Sequence, residues 1–249
     1  MTAARLRAWA TPVALAAAAV AVVAYAQAGA VGAREADVLS GDNLAARAGE
    51  HLRLSLAATA LAVAVAVPAG VVTTRRSLAA ARRPLMAVAN LGQTVPTLAV
   101  LALLFTYTGV GFRTALLALW LYSLLPVLRN TMAGLASVDP AVAEAARGMG
   151  MSPAQVLLKV EFPLAAPVIL AGIRTAAVTN VGTAALATFV GAGGLGAVID
   201  VGITSQRDRV LFAGAALTGL LALAVDWAVA GLGRVYDAAR LTRSSSASP

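Results

Sequence analysis

The chain has 249 residues, of which 60% are hydrophobic and only 12% charged, with a formal net charge of +8 and a mean hydropathy of +0.83. Soluble domains carry about 25% charged residues, so the composition excludes an ordinary soluble fold; the lack of cysteine and a lone histidine, His51, speak against thiolate chemistry and a dedicated zinc site. The arginines sit at the ends of apolar runs, not on a basic helix interleaved with aromatics, which is a membrane pattern and not a nucleic-acid one.

Apolar runs of roughly 20 residues predict an all-α polytopic membrane protein with about six spans, at 9–31, 52–73, 85–108, 114–130, 165–190 and 210–232. The first run follows Arg5 and Arg7 and contains Ala24-Tyr25-Ala26, as a cleavable signal peptide would. Its apolar core is longer than such peptides have, which favours a retained helix. An outer segment over 32–51 ends at His51, read as an interfacial residue at the edge of the second span.

Span three carries Asn90, Thr94 and Thr97 as one polar stripe, with Pro96 expected to kink it. Span four carries Trp120 and Tyr122. Their ring faces suit a quaternary ammonium, although packing or interface anchoring is the more ordinary use.

The apolar pattern then stops for EAARGMGMSPAQVLLKVEFP, Glu144 to Pro163. Asp139 with Pro140 is N-cap chemistry for a first short helix, and Gly150 ends it. Ser152 with Pro153 caps a second helix, which Pro163 is expected to stop. Ala145, Ala146, Gly148 and Gly150 give the first helix a smooth small-residue face, with Glu144 and Arg147 at its rim. A loop that only links spans needs none of this, so the segment reads as a docking knob.

On span five, Thr175, Thr179 and Thr183 recur at four-residue spacing with Asn180 beside them. The stripes on spans three and five fit a translocation path. They fit interhelical hydrogen bonding equally well. Gly191, Gly193 and Gly196 spell GxGxxG, but a membrane-length run and not a short strand precedes them, and the nearest acids are Asp200 and Asp208, so they read as a turn and not as a dinucleotide site. Asp226 in span six, about two turns from Arg234, reads as structural, by snorkelling or pairing. The final SSSASP is too polar to fold.

Arginine and lysine concentrate before span one, between spans two and three, between four and five, and after six: Arg5, Arg7, Arg75, Arg76, Arg82, Arg83, Arg129, Arg147, Lys159, Arg234, Arg240 and Arg243. The opposite segments hold Arg34, Arg47, Arg53, Arg113, Arg207 and Arg209. The positive-inside rule therefore places both termini, and the knob, in the cytoplasm of a multi-pass cell-membrane protein.

Glu144-Ala145-Ala146, Gly150, Val160 and Phe162-Pro163 resemble the signature of the inner-membrane permease subunits of ABC importers, with Phe and Val standing where Leu and Ile are usual. The stretches ANLGQTVPTLAVLALL (89–104), LWLYSLLPVLRNTMAGLASVDP (119–140) and AAVTNVGTAALATFVGAGGLGAVI (176–199) are similar to the quaternary-amine branch of that family. The resemblance covers about 50–232 and implies a domain organisation of an N-terminal helix and outer segment (1–50), a transmembrane domain (51–232) and a cytoplasmic tail (233–249). It implies that Glu144, Ala145, Ala146, Gly148 and Gly150 form the coupling helix that sits in a cleft of the ATPase. It further implies transport of glycine betaine, choline, carnitine or a related osmoprotectant, alongside a second copy or a sister permease.

No GxxxxGK[ST] loop is present, and Lys159, the only lysine, follows Leu158. The chain is therefore expected to hold no cofactor of its own, with ATP-Mg on partner ATPase subunits. Capture of substrate falls to a separate extracytoplasmic binding protein, for which the outward segments 32–51 and 191–209 are candidate docking surfaces. Glu35, Asp37, Asp42, Asp200, Asp208 and nearby arginines could set its register, or could simply be solvated. Membrane lipid is the remaining expected partner; nucleic acid is not one. A secondary transporter or channel would call for mid-membrane ionisable residues or inverted repeats. An intramembrane enzyme would call for catalytic side chains that the chain lacks.

Overall fold

The computed structural model describes residues 3–28, 32–75, 80 and 82–245. Arg76 of the charge argument lies outside them, as do the side chains of Arg5, Arg7, Arg34, Arg82, Arg240 and Arg243 and the tail from residue 246. The described residues are helical, with no strand among them. In chain order the helices are α1 (Ala3–Gln27), α2 (Ala33–Val38), α3 (Gly41–Thr74), α4 (Arg82–Thr94), α5 (Thr97–Thr108), α6 (Phe112–Ala136), α7 (Pro140–Gly148), α8 (Pro153–Val156), α9 (Phe162–Ala184), α10 (Leu195–Thr204) and α11 (Asp208–Ser245). A π-turn (Leu157–Glu161) joins α8 to α9, and a 3₁₀ segment (Ala185–Val190) follows α9.

Among the described residues five stretches are long and apolar enough to cross a membrane: Ala10–Gln27, Gly41–Thr74, Phe112–Ala136, Pro153–Val190 and Asp208–Tyr236. The span expected at 85–108 is instead two helices, α4 and α5, of 13 and 12 residues. Pro96 is the reason. It has no N–H to give a continuing helix and it drives the preceding residue out of the helical region. Here Pro96 takes φ −55, ψ 134 and becomes the N-cap of α5. The broken chain is satisfied locally, because the Tyr122 hydroxyl donates to the Val95 carbonyl at the break.

The chain divides into two compact units. The first comprises Met1–Ala58, Pro96–Leu119 and Ala177–Gly231. Its packing includes Ala26, Leu39 and Leu44 against Val198, Val210 and Ala213, and Leu52 against Ala177, Val181 and Val225. The second comprises Thr59–Val95, Trp120–Ala176 and Leu232–Pro249. There α6 and α9 come close enough that a Cβ on Gly172 would lie 2.4 Å from the Asn130 Cβ and 2.8 Å from the Pro126 carbonyl oxygen. Small residues at such contacts are how membrane helices gain packing without a hydrophobic driving force.

Two interior prolines of the second unit free carbonyls that side chains then satisfy, as a non-aqueous setting demands. Pro126 leaves the Tyr122 carbonyl without its helical donor, and Gln93 Nε2 donates to it at 3.1 Å. Pro167 does the same for the Pro163 carbonyl, which accepts from the Tyr236 hydroxyl at 3.2 Å.

Candidate functional site

The helix–bend–helix over 139–163 lies within the second unit. Asp139 is the N-cap of α7, with Ala141 N donating to its Oδ1 at 2.9 Å and Pro140 in the first position. At the other end Met151 N bonds Ala146 O at 3.2 Å and Gly150 N bonds Arg147 O at 2.9 Å. This is a Schellman closure, and it needs a left-handed residue; Gly150 supplies φ +84. Ser152 then starts α8 with a full capping box: Gln155 N donates to Ser152 Oγ at 3.4 Å, and Ser152 N donates to Gln155 Oε1 at 2.8 Å.

The knob has a small core of its own, in which Ala143 and Ala146 of α7 pack on Val156 of α8, with Met151 and Val160 beside them. Ala146 is thus buried, at 2% exposure, and does not share the outward face expected for it: helical geometry turns it about 100° from Ala145. Glu144, Ala145, Gly148 and Gly150 are exposed. So is Met149, 73% exposed at the tip, which the sequence reading passed over.

Pro163 does not end the second helix. Leu157–Glu161 widens into a π-turn, Phe162 N reaches back to Leu157 O, and α9 continues directly. A π-turn already reroutes the backbone bonds at the point where a proline would break them. Its last residue, Glu161, is buried and receives Arg75 Nη2 at 2.5 Å, with Arg147 Nη2 4.0 Å from its other oxygen.

The polar stripes are partly dispersed. Asn90 and Thr94 lie on α4 but Thr97 begins α5, since Pro96 breaks the expected helix between them. Asn90 Oδ1 accepts from Arg129 at 2.8 Å, and the Thr94 hydroxyl donates to the Asn90 carbonyl at 3.1 Å. On α9, Thr175 and Thr179 are exposed and Thr183 half-buried, whereas Asn180 is fully buried and off that face. Arg174, beside Thr175 within the same membrane-length helix, is also exposed, a cation that hydroxyl spacing alone does not point to. Tyr122 is buried and spends its hydroxyl on the Val95 carbonyl, a structural use. Trp120 is half-buried on α6.

In the first unit His51 is buried, at 1% exposure, and not interfacial. Its Nε2 donates to the Val181 carbonyl at 2.7 Å. Next to it, Glu50 Oε2 accepts from Gly194 N at 2.9 Å and from Arg47 at 3.1 Å. Gly191, Gly193 and Gly194 all have positive φ, so the GxGxxG stretch is a turn after a helix. Several charges expected to face outward are already engaged: Glu35 with Arg207 at 2.7 Å, Arg209 over the Tyr25 ring, and Arg53 over the Phe112 ring. Asp37, Asp42 and Asp208 are exposed, and Asp200 is half-buried. Among the described residues no group of three or more His, Asp or Glu side chains is placed to hold a metal ion.

The profile of one family, the binding-protein-dependent transport system inner membrane component, matches residues 66–236. The chain belongs to that family. It is a multi-pass membrane permease component, a transporter subunit rather than an enzyme. Over 204 residues, 82% of this chain and 93% of the relative, it is 41% identical to the choline transport system permease protein OpuBB of Bacillus subtilis. It is 42% identical to the carnitine transport permease protein OpuCB of Listeria monocytogenes, over 78% of this chain and 88% of that one. It is 44% identical to the osmoprotectant import permease protein OsmW of Salmonella typhimurium, over 72% and 84%. Among solved structures, an inward-facing MetNI methionine ABC transporter chain shares the fold at a TM-score of 0.69 and 23% identity, covering 78% of this chain and 95% of that one.

Proposed function

We propose that this permease forms the membrane path of an ATP-driven importer for quaternary-amine osmoprotectants such as glycine betaine, choline or carnitine. The observation that carries the reading is the 41–44% identity to permeases named for choline, carnitine and osmoprotectants, across most of both chains. The exposed Glu144, Ala145, Gly148, Met149 and Gly150 of the α7 knob are the surface offered to a separate ATPase subunit that carries ATP-Mg, with α7 and both termini cytoplasmic. The partner across the path is a sister permease or a second copy. Two permeases of the Bacillus subtilis choline system, OpuBB and OpuBD, resemble this chain about equally, which supports such pairing. A binding protein on the far side delivers substrate to the outward segments 32–51 and 191–209. Thr94, Thr175 and Thr179, exposed on the single chain, are the best-placed path residues; Asn90, Thr97, Asn180 and Thr183 are held further in.

Deleting this permease in its host and measuring uptake of labelled glycine betaine, choline and carnitine at high osmolarity tests the reading. Uptake of at least one amine should fall about tenfold, return with the intact chain, and not return with a Glu144→Lys/Gly150→Val chain that still inserts. Unchanged uptake of all three would rule out the substrate class.

A further inference from the structure

We infer that Glu161 is a positioning residue that carries movement of the coupling knob to the end of α3, by an ion pair with Arg75 that Arg147 can contest; this rests on the coupling role proposed for α7. Three features converge on this carboxylate. Its side chain is only 12% exposed, although it belongs to the polar segment that interrupts the apolar runs. Its Oε2 takes Arg75 Nη2 at 2.5 Å, from the residue that directly follows the last turn of α3, 86 positions away in sequence. Its Oε1 faces Arg147 Nη2 of α7 at 4.0 Å. The first contact is a short charge-assisted hydrogen bond. The second is too long to be one, so it can tighten or open with a small displacement of α7.

The π-turn is what aims the carboxylate. It places one extra residue between α8 and α9, and without it Glu161 would be turned about 100° around the axis. Stability alone is a weak reason for this arrangement, because a buried ion pair adds little net stability over apolar packing. A geometric reason is stronger. Glu161 stands where the knob ends and the membrane-length helix α9 begins, and its two oxygens address one cation from the knob and one from α3. Displacing α7 changes Arg147's claim on Glu161, and with it the hold on Arg75.

The test uses the complete transporter in lipid vesicles: this chain with its ATPase, and the binding protein as purified from the host with its own ligand. Two readouts are taken. One is stimulation of ATP hydrolysis by the binding protein. The other is a crosslink to the ATPase from Met149→Cys, a unique thiol because the chain has no cysteine. Glu161→Gln should lower stimulation about tenfold while the crosslink forms as before, and the exchanged pair Arg75→Glu/Glu161→Arg should restore most of it. Full stimulation with Glu161→Gln overturns the inference. So does a loss that the exchanged pair cannot restore, or one that comes with loss of the crosslink, since each marks Glu161 as a structural support only. Failure of Met149→Cys to reach an ATPase in the otherwise intact chain is a different result; it defeats the coupling role of α7, and the inference with it.

Discussion

At the scale of single residues, the second unit is held by repairs to its own backbone. Pro126 and Pro167 each strip a carbonyl of its donor, and Gln93 and Tyr236 supply replacements from other segments. Gln93→Leu should leave the Tyr122 carbonyl unpaired and cost about 1–3 kcal/mol. The check is a lower thermal midpoint in detergent than that of an exposed control such as Ala99→Leu. Gly172→Ala should cost about as much or more, because its new Cβ would meet Asn130 and the Pro126 carbonyl, neither of which can move without shifting α6. Gly193→Ala fails for two reasons: φ is +76 and the added carbon would lie 2.4 Å from the Glu50 carboxylate. It should lose about 1–3 kcal/mol and expose the Gly194 amide, read as faster hydrogen exchange there. None of these partners was visible in the sequence. A proline in a span announces an unpaired carbonyl, but which side chain will reach it is decided by tertiary packing.

At the scale of elements, what was legible followed local chemistry. Asp139-Pro140, Gly150 and Ser152-Pro153 each specify backbone geometry within a few residues, and the structure shows the cap, the left-handed closure and the capping box at those positions. Ser152→Ala should remove the bond to Gln155 N and cost about 1 kcal/mol, seen as faster amide exchange at Gln155 and Val156 with little change at α7. Two other features were misjudged. Pro96 breaks its helix instead of bending it, so Asn90 and Thr94 part from Thr97. Pro163 passes unbroken into α9, because the π-turn before it has already displaced the hydrogen-bond register. No single rule for proline covers both positions, because the flanking backbone decides between kink, cap and passage. Glu161 and Arg75 were beyond reach for another reason. They meet across 86 residues, and a carboxylate at the end of a polar stretch looks solvated until the fold buries it.

At the scale of the whole molecule, hydropathy alone gave the helical membrane class, while the number of crossings did not follow from it. Among the described residues five stretches meet the length and polarity needed to span, and α4 and α5 are each too short to do so alone. The family profile matches residues 66–236, so α1, α2 and α3 up to residue 65 lie before it. The central claim is that this permease is driven by a separate ATPase through the α7 knob. The most direct measurement is to tag the chain in its host, place a crosslinker on Met149→Cys, and identify by mass spectrometry what is attached after gentle solubilisation. The account predicts a protein with a GxxxxGK[ST] loop joined at that position, and loss of the adduct when Gly150 is replaced by Val. Repeated recovery of the permease with no ATPase attached, from membranes where it is fully inserted, would contradict it.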